Sequence, residues 1–377
     1  MPAREIEGWR VPLFIPSLPE PEEFADDVAA IARARVYTNF GPVAARFEAA
    51  LGFHFGCPPE AVVAVANATV GIAAAVIAVA AGPPGSFCAL PAWTHIATAA
   101  AVRLAGLRPW FIDVCEESWQ LQPQDLLAAL GEVPGPVAAV LCVRPFGARL
   151  DTAAWEAVQA QTGLPVVVDA AAGFDGLKPS RLVSVVSFHA TKAFGIGEGG
   201  AVVTTEPDVA GRIRMATNLG QDGARNCLMA GLNAKMDEYR AAIGLAALRR
   251  WPEICGRLLA READYAAALR PFGAAIRRPP ALAGIATSTF AVAFPAAAAA
   301  DIADRLAHQG IASRRWWGDG CHRAEPYAAC PRRPAPVADR LARGTLGLPL
   351  YPMLGREQVA LVAECLGRAL EAGNGVS

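Results

Sequence analysis

Between residues 61 and 205, short apolar runs alternate with segments long enough to be helices. Residues 61–66, 87–90, 108–113, 138–144, 165–169, 183–188 and 201–205 are rich in Val, Ile, Leu, Ala and Phe. Gly, Pro, Asp or Asn bounds most of these runs, a pattern that predicts strands. Residues 68–80 and 94–105 read as the first two intervening helices. Unbroken apolar runs, rather than alternating ones, mean strands covered on both faces, as in a largely parallel sheet. The expected fold is α/β, a mostly parallel sheet between layers of helices. Ligands of such sheets gather at the carboxyl ends of the strands. Here polar residues punctuate those ends: Asn67 and Thr69, Trp93 to His95, Asp169, and Ser187 to Lys192.

Residues 237–268 predict one long helix, with Tyr239, Ile243, Ala246 and Ala247 on a single face. Beyond it, residues 288–294 and 345–348 read as strands, and 298–309 and 356–372 as helices. The organisation expected is a large domain over 1–247 and a smaller C-terminal α+β domain over 248–377.

Three lysines, Lys178, Lys192 and Lys235, stand against thirty-one arginines. Arginine replaces lysine at most solvated positions, but not where an amine must lose its proton and attack a carbonyl. Lys192 lies between an apolar strand and the Gly-rich turn ending Glu198-Gly-Gly200, so it is either a catalytic amine or a turn lysine paired with Glu198. Asp169 closes the apolar strand 165–169. A carboxylate there can hold a protonated ring nitrogen of pyridoxal phosphate, or simply cap a helix. Asn67-Ala-Thr-Val-Gly71 places a hydroxyl at a helix N-terminus, which suits a phosphate as well as plain capping. Ser187 could add a second hydroxyl. Pro91-Ala-Trp-Thr-His95 offers flat rings at another strand end, for stacking on a cofactor or for the core.

Composition narrows the field. The chain has 377 residues with a formal charge of −1 and no basic run, which argues against a nucleic-acid partner. No apolar stretch reaches the roughly 20 residues of a membrane helix, and residues 1–10 contain no apolar core of a signal peptide. Nine cysteines without metal-ligand spacing suit reduced thiols in the cytoplasm, with no metal site.

These segments together resemble the DegT/DnrJ/EryC1/StrS aminotransferases, sugar aminotransferases within the fold-type I pyridoxal-phosphate enzymes. The resemblance runs from Tyr37-Thr-Asn-Phe-Gly-Pro42 to Leu346-Gly-Leu-Pro-Leu350. It is most specific in Asp169-Ala-Ala-Ala-Gly-Phe174, Ser187-Phe-His-Ala-Thr-Lys192 and Gly231-Leu-Asn-Ala-Lys-Met-Asp-Glu238. It implies an aspartate-aminotransferase-like large domain with a seven-stranded type of sheet, and a homodimer with shared active sites. Lys192 would be the Schiff-base lysine and general base, and Asp169 the partner of the ring nitrogen. Ala68, Thr69 and Ser187 would hold the phosphate, and Asn233 would reach the phosphate in the neighbouring subunit. Two positions depart from the family's usual residues: Ala172 stands where Gln is common, and His95 takes the stacking position.

The implied reaction moves an amino group from L-glutamate to a keto group of a nucleotide-linked sugar, with an NDP-4-keto-6-deoxyhexose as the expected acceptor. Arg314 and the neighbouring Trp316 and Trp317 are candidates for its diphosphate and rings, against the alternative of a surface Arg and core Trp residues. His189 and His322 are further substrate candidates. Competing readings are a cyclitol ketone as acceptor and a cofactor-binding scaffold without turnover. A sugar dehydratase of the family would carry histidine in place of Lys192.

Overall fold

The computed structural model describes residues 8–374 apart from Pro84, so residues 1–7 of the segment read as lacking a leader lie outside the described residues. Helices α1 (Ala25–Ala34) and α2 (Pro42–Phe55) precede the sheet. Then β1 (Val62–Val65), α3 (Ala68–Val79), β2 (Phe87–Pro91), α4 (Ile96–Leu104) and β3 (Arg108–Ile112) follow in alternation. The alternation continues through α5 (Pro123–Ala129), β4 (Val137–Val143), α6 (Thr152–Thr162) and β5 (Val166–Asp169). β6 (Val183–Ser187), β7 (Gly200–Val203) and α7 (Pro207–Thr217) complete the first part of the chain. The seven strands form one sheet in the order β1-β7-β6-β5-β4-β2-β3. β7 runs antiparallel to both of its neighbours, and the other pairings are parallel. The expected mostly parallel sheet is therefore present, with each of the seven apolar runs in it.

Why the runs are unbroken is visible in the core. Val166 and Val168 join one buried cluster while Val167 joins the other, so successive residues of a strand are buried on opposite faces. Only apolar side chains suit either face. Gly200 shows how tightly the edge packs: a Cβ there would stand 2.7 Å from the Val186 carbonyl oxygen and 3.0 Å from the Ala68 amide nitrogen. The missing side chain lets the start of α3 sit directly against the sheet.

The long helix α8 (Glu238–Leu269) is capped by Asp237, whose carboxylate accepts from the Arg240 amide at 3.0 Å. Residue 247, the division expected from sequence, falls inside this continuous helix. β8 (Phe290–Ala293), α9 (Ala299–His308), β9 (Arg314–Arg315), α10 (Pro336–Gly344), β10 (Thr345–Leu348) and α11 (Arg356–Asn374) follow. β8, β10 and β9 form a small antiparallel sheet in that order. Among the described residues, no helix is long and apolar enough to cross a membrane.

Two buried carboxylates tie distant segments together. Glu238 at the start of α8 accepts from the amides of Val43 (2.8 Å) and Ala44 (2.9 Å), so it caps α2 from another helix. Glu48 on α2 accepts from the Ala64 amide at 2.8 Å and pairs with Arg214 of α7 at 2.8 Å.

Candidate active site

The carboxyl ends of β1, β2, β4, β5 and β6 open into one cleft of ≈ 1840 Å³. Ala68, Thr69, His95, Asp169, Ser187, His189, Lys192, Arg314, Trp316 and Trp317 all line it. These residues lie as far apart in sequence as 68 and 317, and the strand-end rule accounts for most of them.

Asp169 ends β5 and is buried. Its Oδ2 accepts from the Thr98 hydroxyl at 2.7 Å, and its Oδ1 from the Ala171 amide at 3.1 Å. The Thr98 hydroxyl also meets that of Thr94 at 2.7 Å. The carboxylate is thus fixed in orientation while part of its lone-pair capacity still faces the cleft.

Lys192 sits in a closed loop between β6 and β7. The Phe188 amide donates to the Gly199 carbonyl at 2.9 Å, the Ala190 amide to Gly197 at 2.8 Å, and the Lys192 amide to His189 at 2.8 Å. Gly197 takes a φ of 98°, which favours glycine. Burial of the Lys192 amine pushes its pKa below the ordinary lysine range, and Asp169 pulls in the opposite direction. A desolvated amine of this kind is a better nucleophile and proton acceptor than a solvated lysine.

Asn67 caps α3, its side-chain oxygen accepting from the Val70 amide at 3.1 Å. The first amides of a helix have no acceptor within it, so Ala68 and Thr69 present backbone donors, a hydroxyl and the positive end of the helix dipole. Ser187 ends β6 on the same side, its Oγ accepting from the His189 amide at 3.3 Å.

His95 caps α4, its Nδ1 accepting from the Ala97 amide at 3.2 Å. A ring nitrogen that accepts a hydrogen bond disfavours the doubly protonated ring. Desolvation lowers the His95 pKa first, and the Lys192 charge lowers it further, against a smaller pull from Asp169. Trp93, the other ring at this strand end, is fully buried and packs on Trp317 at 4.8 Å, so it belongs to the core.

His189 contacts the Thr191 hydroxyl at 2.8 Å and faces Glu198 at 3.7 Å, beside Lys192. The structure also places two candidates outside the cleft. His322 is buried, with Nδ1 3.4 Å from the Ala92 carbonyl and Nε2 3.1 Å from Asp339 Oδ1, which makes it a brace rather than a substrate contact. Asn233 is exposed on the segment after α7, where its Oδ1 accepts from Lys235 Nζ at 2.9 Å, and it does not line the cleft.

Sequence reading did not single out Thr98, Arg144 or Phe146. Arg144 follows β4, and its buried guanidinium donates to the carbonyls of Gly147, Ala148 and Gly173. Burial lowers its pKa to about 10, with Asp175 opposing and Arg149 adding to the fall. It ties the loops after β4 and β5 together beside Ala172. Its place at the end of an apolar run was the available signal. Phe146 takes φ 54° and Trp317 φ 64°, left-handed values uncommon for aromatic residues. Their rings stack in parallel at 4.7 Å and wall the cleft opposite the sheet.

The family model of the DegT/DnrJ/EryC1/StrS aminotransferase family matches residues 19–367. The chain belongs to this family. A protein of Mycobacterium bovis is 36% identical over 248 residues, 63% of this chain and 60% of that protein, so the chain spans less than two thirds of this relative's length. The crystal structure of a putative PLP-dependent aminotransferase from Bacillus cereus superposes with a TM-score of 0.89 at 29% identity, covering 95% of this chain and 99% of that one. The structure of DesI in the presence of its TDP-sugar product gives 0.83 at 30% identity, covering 95% and 94%.

Proposed function

We propose that this chain is a pyridoxal-phosphate-dependent aminotransferase moving an amino group from L-glutamate to a keto group of a nucleotide-linked sugar. One observation carries the reading: a desolvated amine, a hydrogen-bonded carboxylate and a helix N-terminus converge on one cleft. That donor set fits the cofactor. The α3 N-terminus with Thr69 and Ser187 would hold its phosphate, Asp169 its protonated ring nitrogen, His95 one ring face, and Lys192 its aldehyde carbon. When bound, pyridoxal phosphate supplies a carbonyl that carries the amino group and a ring that accepts electron density. Lys192, released by the incoming amine, takes a proton from the donor's α-carbon and later returns one to the sugar carbon. Asp169, locked by Thr98, keeps its charge aimed at the ring nitrogen. The stacked Phe146 and Trp317 exclude water from one side of the cleft.

The likeness to DesI supports a nucleotide sugar as acceptor, and a 4-keto-6-deoxyhexose is the class proposed. A homodimer is part of the reading: a second copy would bring its Asn233 to the phosphate end. The nine free thiols suit a reducing cytoplasm. The deciding experiment is the visible absorbance of purified protein supplied with pyridoxal phosphate, before and after L-glutamate. The expected result is a visible band that L-glutamate bleaches with release of 2-oxoglutarate. A protein without such a band overturns the reading. Light scattering of the loaded protein tests the dimer.

A further inference from the structure

The wall facing Lys192 depends on a long-range pairing. β9 lies against β10 with Arg314 opposite Gly347. Two residues after Arg314, Trp316 folds back over β10. A Cβ built on Gly347 would collide with the indole, standing 2.7 Å from Trp316 Cδ1. Any residue but glycine at 347 would displace the ring. The indole Nε1 is buried with no hydrogen-bond partner among the described residues, so packing holds the ring and its usable surface is its face. The Arg314 guanidinium lies over that face, 5.2 Å from the ring centroid. Gly347 thus seats Trp316, and Trp316 carries Arg314.

The guanidinium, the indole and Lys192 share a compact branch of the cleft, ≈ 580 Å³. Hydroxyls of Thr191, Thr287 and Thr289 add polar groups, and no carboxylate lines it among the described residues. Two cationic groups without opposing charge favour an anion, and a guanidinium fork matches a carboxylate through two parallel hydrogen bonds. A nucleotide sugar needs more room. It has the open cleft and a groove of ≈ 860 Å³ that continues past Arg315 and Arg323.

We propose that Gly347, Trp316 and Arg314 form one anchor for the carboxylate of the amino donor, with Trp316 and Gly347 as positioning residues. This rests on the aminotransferase reading. A donor held by its carboxylate in the compact branch presents its amine toward Lys192, and the acceptor takes the open branch in the second half of the cycle.

Glutarate, a dicarboxylate with no amine, is the binding probe. Its affinity for the cofactor-supplied protein is measured by calorimetry. The rates of bleaching by L-glutamate and by butylamine, which has no carboxylate, are measured alongside. Arg314→Met should weaken glutarate about 10- to 100-fold, the range for a lost charge-assisted hydrogen bond. Bleaching by L-glutamate should slow similarly at low concentration, with butylamine unchanged. Trp316→Phe, which keeps a ring face, should stay within about 3-fold, the small change left when a cation–π face is retained. Trp316→Ala and Gly347→Ala should approach Arg314→Met, and Gly347→Ala should add nothing in the Arg314→Met background. Circular dichroism of each variant separates these losses from misfolding, and Trp316→Phe reports on the anchor even where Gly347→Ala does not fold. Unchanged glutarate affinity in Arg314→Met overturns the proposal, as does an equal loss with butylamine. A loss confined to a nucleoside diphosphate probe also overturns it and assigns Arg314 to the acceptor. Glutarate binding through Arg314 in a protein that shows no visible band would leave the anchor standing while the aminotransferase reading fails.

Discussion

The Thr98 hydroxyl donates to Oδ2 of Asp169 at 2.7 Å, from the first turns of α4 to the end of β5. Two elements separated by 71 residues meet in this bond. It decides which way the carboxylate of the cleft points. Thr98→Val keeps the shape and removes the donor. The expected loss is about 1.5–3 kcal/mol of stability, typical of a buried hydrogen bond to a charged group. Denaturant unfolding checks this, and weaker retention of pyridoxal phosphate on dialysis should accompany it.

Lys192 should be the residue without which nothing turns over. Lys192→Arg retains a cation but no amine that gives up its proton near neutral pH. Either Lys192→Arg or Lys192→Ala should lower the L-glutamate-dependent rate by at least about 10²–10⁴-fold, the usual contribution of a positioned general base. Normal turnover in either variant would remove Lys192 from the mechanism.

The pH profile of that amine follows from its surroundings. Burial lowers its pKa and Asp169 raises it, with burial the larger influence. Reactivity of Lys192 toward an aldehyde reagent in cofactor-free protein should rise with pH through a limb below the ordinary 10.5. Asp169→Asn removes the raising influence, so the limb should move to lower pH. The same sign governs folding. The unfolded chain binds more protons between the lowered pKa and 10.5, so this group's contribution to stability increases as pH rises through that window. A limb that moves upward in Asp169→Asn would contradict the arrangement.

His95 titrates in the same sense nearer to neutrality. Desolvation and the Lys192 charge hold its pKa below 6.5. As pH falls from 6.5 toward the lowered value, the unfolded state gains the proton first and the folded state loses relative stability. His95→Gln should therefore flatten the acid side of the stability profile, measured by thermal unfolding across pH. A direct histidine NMR titration should place this ring below the others that are solvated.

Much of the cleft was legible because the strand-end rule needs only local pattern. Asp169, Ser187 and Asn67 each close an apolar run, and Lys192 follows one within five residues of Ser187. Arg144 also follows such a run and was readable by the same rule. His322 looked like a site residue because it stands near two tryptophans in sequence, yet its ring is turned into the core against Ala92 and Asp339. Gly347 and Trp316 could not be paired from sequence at all. Their relationship depends on β9, only two residues long, finding β10 across thirty residues. α1 and α2 escaped because their apolar positions pack on α8, a distant partner that local periodicity does not reveal.

The Glu48–Arg214 pair yields the last prediction. Glu48 is buried, and desolvation pushes its pKa up against the lowering effect of Arg214. Arg214 donates to both of its carboxylate oxygens, at 3.1 and 2.8 Å, and to the Val62 carbonyl at 3.0 Å. The guanidinium also lies over the Phe40 ring at 5.0 Å. Removing one member of such a pair leaves a buried charge without compensation, which costs about 3–5 kcal/mol. Arg214→Leu should approach that loss by denaturant unfolding. Adding Glu48→Gln should recover part of it, because the uncompensated charge is then gone while the Ala64 amide can still donate to the side-chain oxygen. A double variant no more stable than Arg214→Leu would mean that the arginine acts through packing on Phe40 and Val62 rather than through Glu48.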